Sequence, residues 1–294
     1  MNFKSGFVSI IGSPNVGKST LLNALLNEKI AAVSPKPQTT RTKITGIVTD
    51  DEAQIIFLDT PGIQNPKNKL GSYMKNVTDQ TAMQTDIVVY MIDGSKYNIQ
   101  KETDVLQKIS QPITFLLINK IDKIKKADIL NIIAGFSAAK GFSEIIPISA
   151  QKKEGIENLL SCIKKYLPEG PKFFPDDMIT DQPERQICAE LIREKMMRLL
   201  GEEIPYGTAV VIDKLEYNEA KDITTINGTI YCERQSHKGI IIGKGGAMLK
   251  KIGSQSRADL QRFLDGKVFL QLWVKVLENW RNSAAQLKNF GYTE

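Results

Sequence analysis

Metal-ligating and redox-active side chains are scarce in this sequence, which has one histidine and three cysteines. Cys162, Cys188 and Cys232 stand far apart without metal-ligand spacing. That pattern argues against a disulfide framework and against a Cys/His zinc site, and it predicts buried thiols in a reducing cytoplasm. Long hydrophobic runs are also missing. No window approaches the roughly 18 apolar residues of a membrane-spanning helix, and the apolar run near the start is too short for a signal peptide. There is no internal repeat and no low-complexity tract. What remains is 41% hydrophobic and 24% charged, the balance of a soluble globular protein. The 294 residues suffice for two domains with separate cores. A net charge of +6 favours a polyanionic partner, either nucleic acid or an anionic membrane surface, or serves solubility alone.

Short apolar runs alternate with amphipathic stretches over roughly the first 165 residues. Residues 7–11, 55–58, 87–92, 113–118 and 145–148 read as strands buried on both faces, while 19–26 and 102–109 have helical character. Buried strands alternating with helices predict a parallel sheet covered on both sides, with ligands bound in the loops at the carboxyl ends of the strands. Leu167-Pro168-Glu169-Gly170-Pro171 ends this pattern, and Pro175 and Pro183 follow in a polar stretch that reads as an interdomain linker. The expected division is residues 1–168, a linker at 169–183, and a second domain at 184–294. In the second part, residues 184–200 carry a helical apolar stripe. Two β-rich runs follow at 208–217 and 223–232, then a glycine-rich turn, a basic helix and a strand at 268–276. Asn227-Gly228 within the second run is either a bulge or a turn.

Each chemical motif of the first half follows one of the apolar runs. Gly12-Ser13-Pro14-Asn15-Val16-Gly17-Lys18-Ser19 fits G-x-x-x-x-G-K-S between a strand and a helix. Its glycines let backbone N–H groups turn inward around phosphates, and the helix amino terminus adds partial positive charge. Lys18 would reach the β- and γ-phosphates, and Ser19 would ligate Mg²⁺. The bland alternative is a glycine-rich turn with an exposed lysine. Asp59-Thr60-Pro61-Gly62 places a carboxylate for the Mg²⁺ shell and a backbone N–H for a γ-phosphate, although D-x-x-G also describes many ordinary turns. Asn119-Lys120-Ile121-Asp122 offers a carboxylate that accepts two hydrogen bonds from guanine, whereas adenine lacks that donor pair. Ser149-Ala150 could present a backbone N–H to the guanine O6.

Together and in this order, these motifs resemble the Ras-like P-loop guanine-nucleotide-binding proteins. Gln38-Thr39-Thr40-Arg41 narrows the resemblance to the Era and TrmE branch. The resemblance implies GTP/GDP and Mg²⁺ as ligands and GTP hydrolysis as the activity. The implied nucleotide site comprises Gly12, Asn15, Val16, Gly17, Lys18, Ser19, Thr20, Asp59, Gly62, Asn119, Lys120, Asp122, Ser149 and Ala150. It implies Mg²⁺ on Ser19, Thr40 and Asp59, and a catalytic group of Lys18, Thr40, Gly62 and Asn15. Thr40 would be the switch threonine, with Thr39 and Thr42 as neighbours that could serve instead. Ile63 departs from the Ras-like pattern, because an isoleucine cannot align an attacking water. Slow intrinsic hydrolysis is expected. As in family members that use potassium, the Asn15 carbonyl could help hold K⁺ beside the phosphates; otherwise Asn15 only shapes the loop.

Gly243-Lys244-Gly245-Gly246 fits the G-x-x-G loop with which KH domains clamp a nucleic-acid backbone. A tight turn is the usual explanation of such a tetrapeptide. Here the order helix, two strands, glycine loop, helix, strand resembles a type II KH domain. Between Arg234 and Lys288 there are eleven Lys/Arg against three Asp/Glu. Lys250 and Lys251 fall on the helix after the loop, where they could track phosphates. Trp273 is expected to pack in the core. The expected fold is thus an α/β P-loop GTPase domain followed by a smaller α+β KH-type domain. Over nearly the whole chain the resemblance to the Era branch implies single-stranded ribosomal RNA near the 3′ end of the small-subunit RNA as partner. It also implies a role in small ribosomal subunit maturation and association with the cytoplasmic membrane face. Nothing in the sequence demands more than a monomer.

Overall fold

A computed structural model of the chain describes every residue except Met1, Lys108, Ser110, Lys140, Thr293 and Glu294. The chain forms two compact units, Met1–Asn27 with Thr40–Asn65 and Met74–Asp181, and Glu28–Thr39 with Pro66–Tyr73 and Gln182–Glu294.

The first unit is built on β1 (Lys4–Gly12), α1 (Lys18–Leu26), β2 (Ile44–Thr49), β3 (Ala53–Asp59), α2 (Lys69–Met83, of which Lys69–Tyr73 cluster with the second unit), β4 (Ile87–Asp93), α3 (Ile99–Leu106), β5 (Thr114–Asn119), α4 (Lys126–Ala139), β6 (Glu144–Pro147) and α5 (Ile156–Tyr166). Six strands form one sheet in the order β2-β3-β1-β4-β5-β6. Every pair is parallel except β2 with β3. The central runs expected from the sequence are fully buried: Ile87–Ile92 and Phe115–Ile118 are 0–1% exposed. Burying each such side chain stabilises by about 1.5–3 kcal/mol. Tyr90, Ile11, Ile118, Leu106 and Phe136 form one cluster beneath the carboxyl ends of β1 and β4.

The proline-rich stretch read as a linker is tied to this sheet. Ser5 N–H donates to the Pro168 carbonyl at 3.1 Å and Gly170 N–H to that of Phe3 at 3.1 Å. The N–H groups of Phe173 and Phe174 donate to the Gln54 side-chain oxygen at 2.7 and 3.0 Å.

The second unit contains α6 (Glu184–Leu199), β7 (Thr208–Asn218), β8 (Ile223–Cys232), α7 (Gln235–Ile242), α8 (Ala247–Phe263), β9 (Val268–Val276) and α9 (Ala284–Asn289). Helix α6 buries the expected stripe of Ile187, Leu191, Ile192 and Met196. The sheet order is β7-β8-β9, antiparallel then parallel. The register shifts between Ile212 and Lys214, opposite Gly228 and Asn227, so the irregularity is a bulge at Asp213 and Asn227-Gly228 stays in strand. Trp273 corrects an expectation: it is 41% exposed. It lies on β9 at the sheet edge, and strand alternation turns it outward with Phe269, Gln271 and Lys275, away from the buried Val274. Trp280 instead is fully buried, and its indole N–H donates to the Gly207 carbonyl at 3.0 Å. The three cysteines are buried free thiols. Among the described residues no helix is long and apolar enough to cross a membrane.

Candidate functional site

The segment Gly12–Lys18 joins β1 to α1 as the sequence predicts. At Gly17, φ is 111°, and an added Cβ would lie 2.3 Å from the Asn119 side-chain nitrogen. Only glycine meets both conditions. Lys18 turns back into the loop, its ammonium donating to the carbonyls of Gly12 at 3.0 Å and Ser13 at 3.2 Å. Burial lowers its pKa to about 8, with the Asp59 carboxylate pulling the other way. Gly62 faces the loop closely, since a Cβ there would lie 2.8 Å from Pro14 Cα. Ile63 N–H donates to the Gly12 carbonyl at 3.1 Å, and the Ile63 side chain packs against the apolar cluster around Tyr90.

Three oxygen donors meet beside this loop. Ser19 Oγ lies 2.7 Å from Thr40 Oγ1 and donates to Asp59 Oδ2 at 2.6 Å. Thr40 Oγ1 is 3.4 Å from the same carboxylate oxygen. The other oxygen, Asp59 Oδ1, is buried with no hydrogen-bond partner among the described residues. An orphaned buried carboxylate oxygen is costly, and hard oxygen donors of this kind suit Mg²⁺. Burial raises the Asp59 pKa to about 6 against the opposing pull of Lys18, Ser19 and Thr40. Thr39, one of the alternatives to Thr40, instead donates its hydroxyl to the Lys36 carbonyl at 2.7 Å.

The loops after β5 and β6 come together at the other end of the phosphate loop. The Asn119 side chain donates to the Val16 carbonyl at 2.7 Å and accepts the Ala150 N–H at 3.0 Å. Ser149 Oγ donates to Asp122 at 2.6 Å, orienting the carboxylate. Lys120, in the left-handed region at φ 66°, reaches the Asn15 carbonyl at 2.7 Å and the Asp93 carboxylate at 2.5 Å. The carboxylate of Asp93 is held below its ordinary pKa by Lys120 and Ser95, which outweigh burial. Asp93 was missed in the sequence, although its place at the end of the buried run 87–92 was the available signal. Thr20 stands half-buried in the first turn of α1.

In the second unit Gly243 caps α7 with φ 74°, and Gly245 and Gly246 have φ 59° and 81°. Nothing lies within 4 Å of a Cβ built on Gly245 or Gly246, so the loop presents bare backbone with open space above it. Lys244, Lys250 and Lys251 are exposed.

Residues 7–120 match the family described as "50S ribosome-binding GTPase", and residues 203–281 match the KH domain family. Over 99% of its length the chain is 50% identical to the GTPase Era of Ruminiclostridium cellulolyticum, covering 98% of that protein. It is also 50% identical to the GTPase Era of Clostridioides difficile, with 99% of each covered. The chain belongs to the Era GTPase family. As an Era GTPase it binds and hydrolyses GTP. A solved Era in complex with MgGDPNP and nucleotides 1506–1542 of 16S ribosomal RNA superposes with a TM-score of 0.94 at 42% identity, over 99% of this chain and all of the other. An Aquifex aeolicus Era variant bound to GDP.AlF4- gives the same score and identity.

Proposed function

We propose that this Era GTPase is a GTP-operated switch that binds the 3′ region of small-subunit ribosomal RNA as a single strand and acts in small-subunit maturation. The observation that carries this reading is the relative that holds both MgGDPNP and nucleotides 1506–1542 of 16S ribosomal RNA while matching this chain end to end. Residues 1–168 serve the nucleotide, 184–294 serve the RNA, and 169–183 join them. Lys18 and the N–H groups of Gly12–Thr20 hold the phosphates, and Asn119, Asp122, Ser149 and Ala150 read guanine. Ser19, Thr40 and Asp59 hold Mg²⁺, which neutralises phosphate charge when bound. Thr40 and Gly62 report the γ-phosphate, which makes contacts in one nucleotide state that are absent in the other. Support for a link between the two functions comes from Glu28–Thr39, the stretch leading into Thr40, which clusters with the second unit. On the RNA side, Gly243–Gly246 approach the backbone and Lys250 and Lys251 track its phosphates.

Potassium fits the same reading. Ile63 is tucked into the apolar cluster and offers no group to align water, so a cation beside Asn15 supplies electrostatic help. Equal turnover in potassium and sodium would remove it. The protein works in the cytoplasm as a monomer, and the anionic inner membrane face is a second surface for its basic residues.

The test is binding of a labelled small-subunit 3′-end oligonucleotide to protein loaded with a non-hydrolysable GTP analogue or with GDP. Tight single-strand binding that differs between the two states is expected. Equal binding in both states removes the switch, and preference for a matched duplex removes the single-strand groove.

A further inference from the structure

Glu102 places a carboxylate where the established chemistry does not call for one. It is 7% exposed, and among the described residues no cation pairs with it. Asn98 caps α3 by accepting the Lys101 N–H at 2.9 Å, which sets Glu102 near the helix amino terminus, where an anion is favoured.

Its two oxygens are divided between two hydroxyl groups. Oε2 accepts the Tyr90 phenol. Oε1 accepts the Ser13 hydroxyl at 3.4 Å. Tyr90 is a fixed post: fully buried, paired in register beside Ile11, and packed in the central cluster. Burial, and then the bond to Glu102, hold its phenol above its ordinary pKa, so it remains a donor. Ser13 is the second residue of the phosphate loop. Its carbonyl takes the Lys18 ammonium, and the residue after it, Pro14, abuts Gly62.

The geometry points to Glu102 as a positioning residue for GTP hydrolysis, anchored on Tyr90 and holding Ser13 so that Lys18 and Gly62 meet the γ-phosphate in register. A rigid post below the loop transmits its placement through one hydroxyl, and small displacements of such groups weigh on turnover more than on ground-state binding. The inference rests on reading Gly12–Ser19 as the phosphate loop.

The test uses the full chain with steady-state GTP turnover and GDP binding measured side by side. Ser13→Ala removes only the hydroxyl. Glu102→Gln keeps the shape but replaces one of the two acceptor oxygens with an NH₂ donor, so only one of the two hydroxyls keeps its acceptor. Each is expected to lower kcat about ten- to a hundredfold, with GDP affinity held within about threefold, and the double variant should be no worse than either single one. Wild-type kcat in Ser13→Ala, or effects that multiply in the double variant, would overturn the proposal. A purely structural Glu102 would lower thermal stability and leave the kcat of folded protein unchanged. Lys18→Ala serves as the separate control: nucleotide binding that survives it overturns the phosphate-loop reading itself.

Discussion

The backbone N–H of Val33 donates to the Glu194 carboxylate at 2.9 Å. Glu194 is fully buried, and its carboxylate also takes the ammonium groups of Lys29 and Lys195, each at 2.9 Å. Both lysines reach Asp259 on α8 as well. Removing one member of a buried charge group leaves the others uncompensated. Glu194→Ala is therefore expected to destabilise the second unit by about 3–5 kcal/mol, read as a lowered urea midpoint.

The same cluster sets a pH dependence. Burial pushes the Glu194 and Asp259 carboxyls up, but the lysine hydrogen bonds outweigh it and leave both below their ordinary pKa. Their contribution is present above the unfolded carboxylate range, about 4, and is lost as pH falls through their lower folded values. Lys195 is raised, with Asp259 and Glu194 outweighing burial, so its share is lost only as pH rises through its folded value. Unfolding experiments across pH 2–5 should show a steeper acid loss in the native sequence than in an Asp259→Asn variant.

Metal affinity should follow the protonation of Asp59. Its pKa is raised to about 6 when no cation is bound, so metal must displace a proton below that pH. Apparent Mg²⁺ or Mn²⁺ affinity should fall about tenfold per pH unit below pH 6 and level off above it. A metal titration followed by a fluorescent GDP analogue checks this, and a flat profile from pH 5 to 7 would remove Asp59 from the site.

Asp122→Asn exchanges an acceptor for a donor at the position that Ser149 orients. Preference for GTP should drop by about a hundredfold or more, and xanthosine triphosphate should gain affinity. Competition binding with the two nucleotides decides it.

On the RNA side, replacing Lys250 and Lys251 with alanine should weaken single-strand binding uniformly across sequences. The slope of log affinity against log salt should fall by about 1.4, near 0.7 for each lost phosphate contact. An unchanged slope would place the RNA elsewhere.

The loops that carry the motifs were legible because each is local: a loop of eight residues between a buried strand and a helix announces itself. The central strands were legible for the same reason, as continuous apolar runs. Helix α7 was not seen. Its Ile240-Ile241-Ile242 run is β-branched and reads as strand, and Arg234 provides no side-chain cap. Strand β2, broken by Gly46 and half polar, carried too weak an alternation. The order within the stretch read as a linker, 169–183, was not legible, because it comes from the side chain of Gln54 and the backbones of β1 and β2 rather than from its own pattern. The cluster of Lys29, Glu194, Lys195 and Asp259 is drawn from three distant parts of the chain, and no spacing rule reveals it. Trp273 was misplaced because hydropathy says what a side chain prefers, not which face of an edge strand it receives.

Gly17 and Asn119 lie so close that one methyl group at Gly17 would occupy the space of the Asn119 amide. The turn at Gly12–Ser19 and the loop at Asn119–Asp122 are thus one mechanical part, though about a hundred residues separate Gly17 from Asn119. Any side chain at Gly17 would push Asn119 off the Val16 carbonyl and the Ala150 N–H, so damage done at the first loop would be felt at the second.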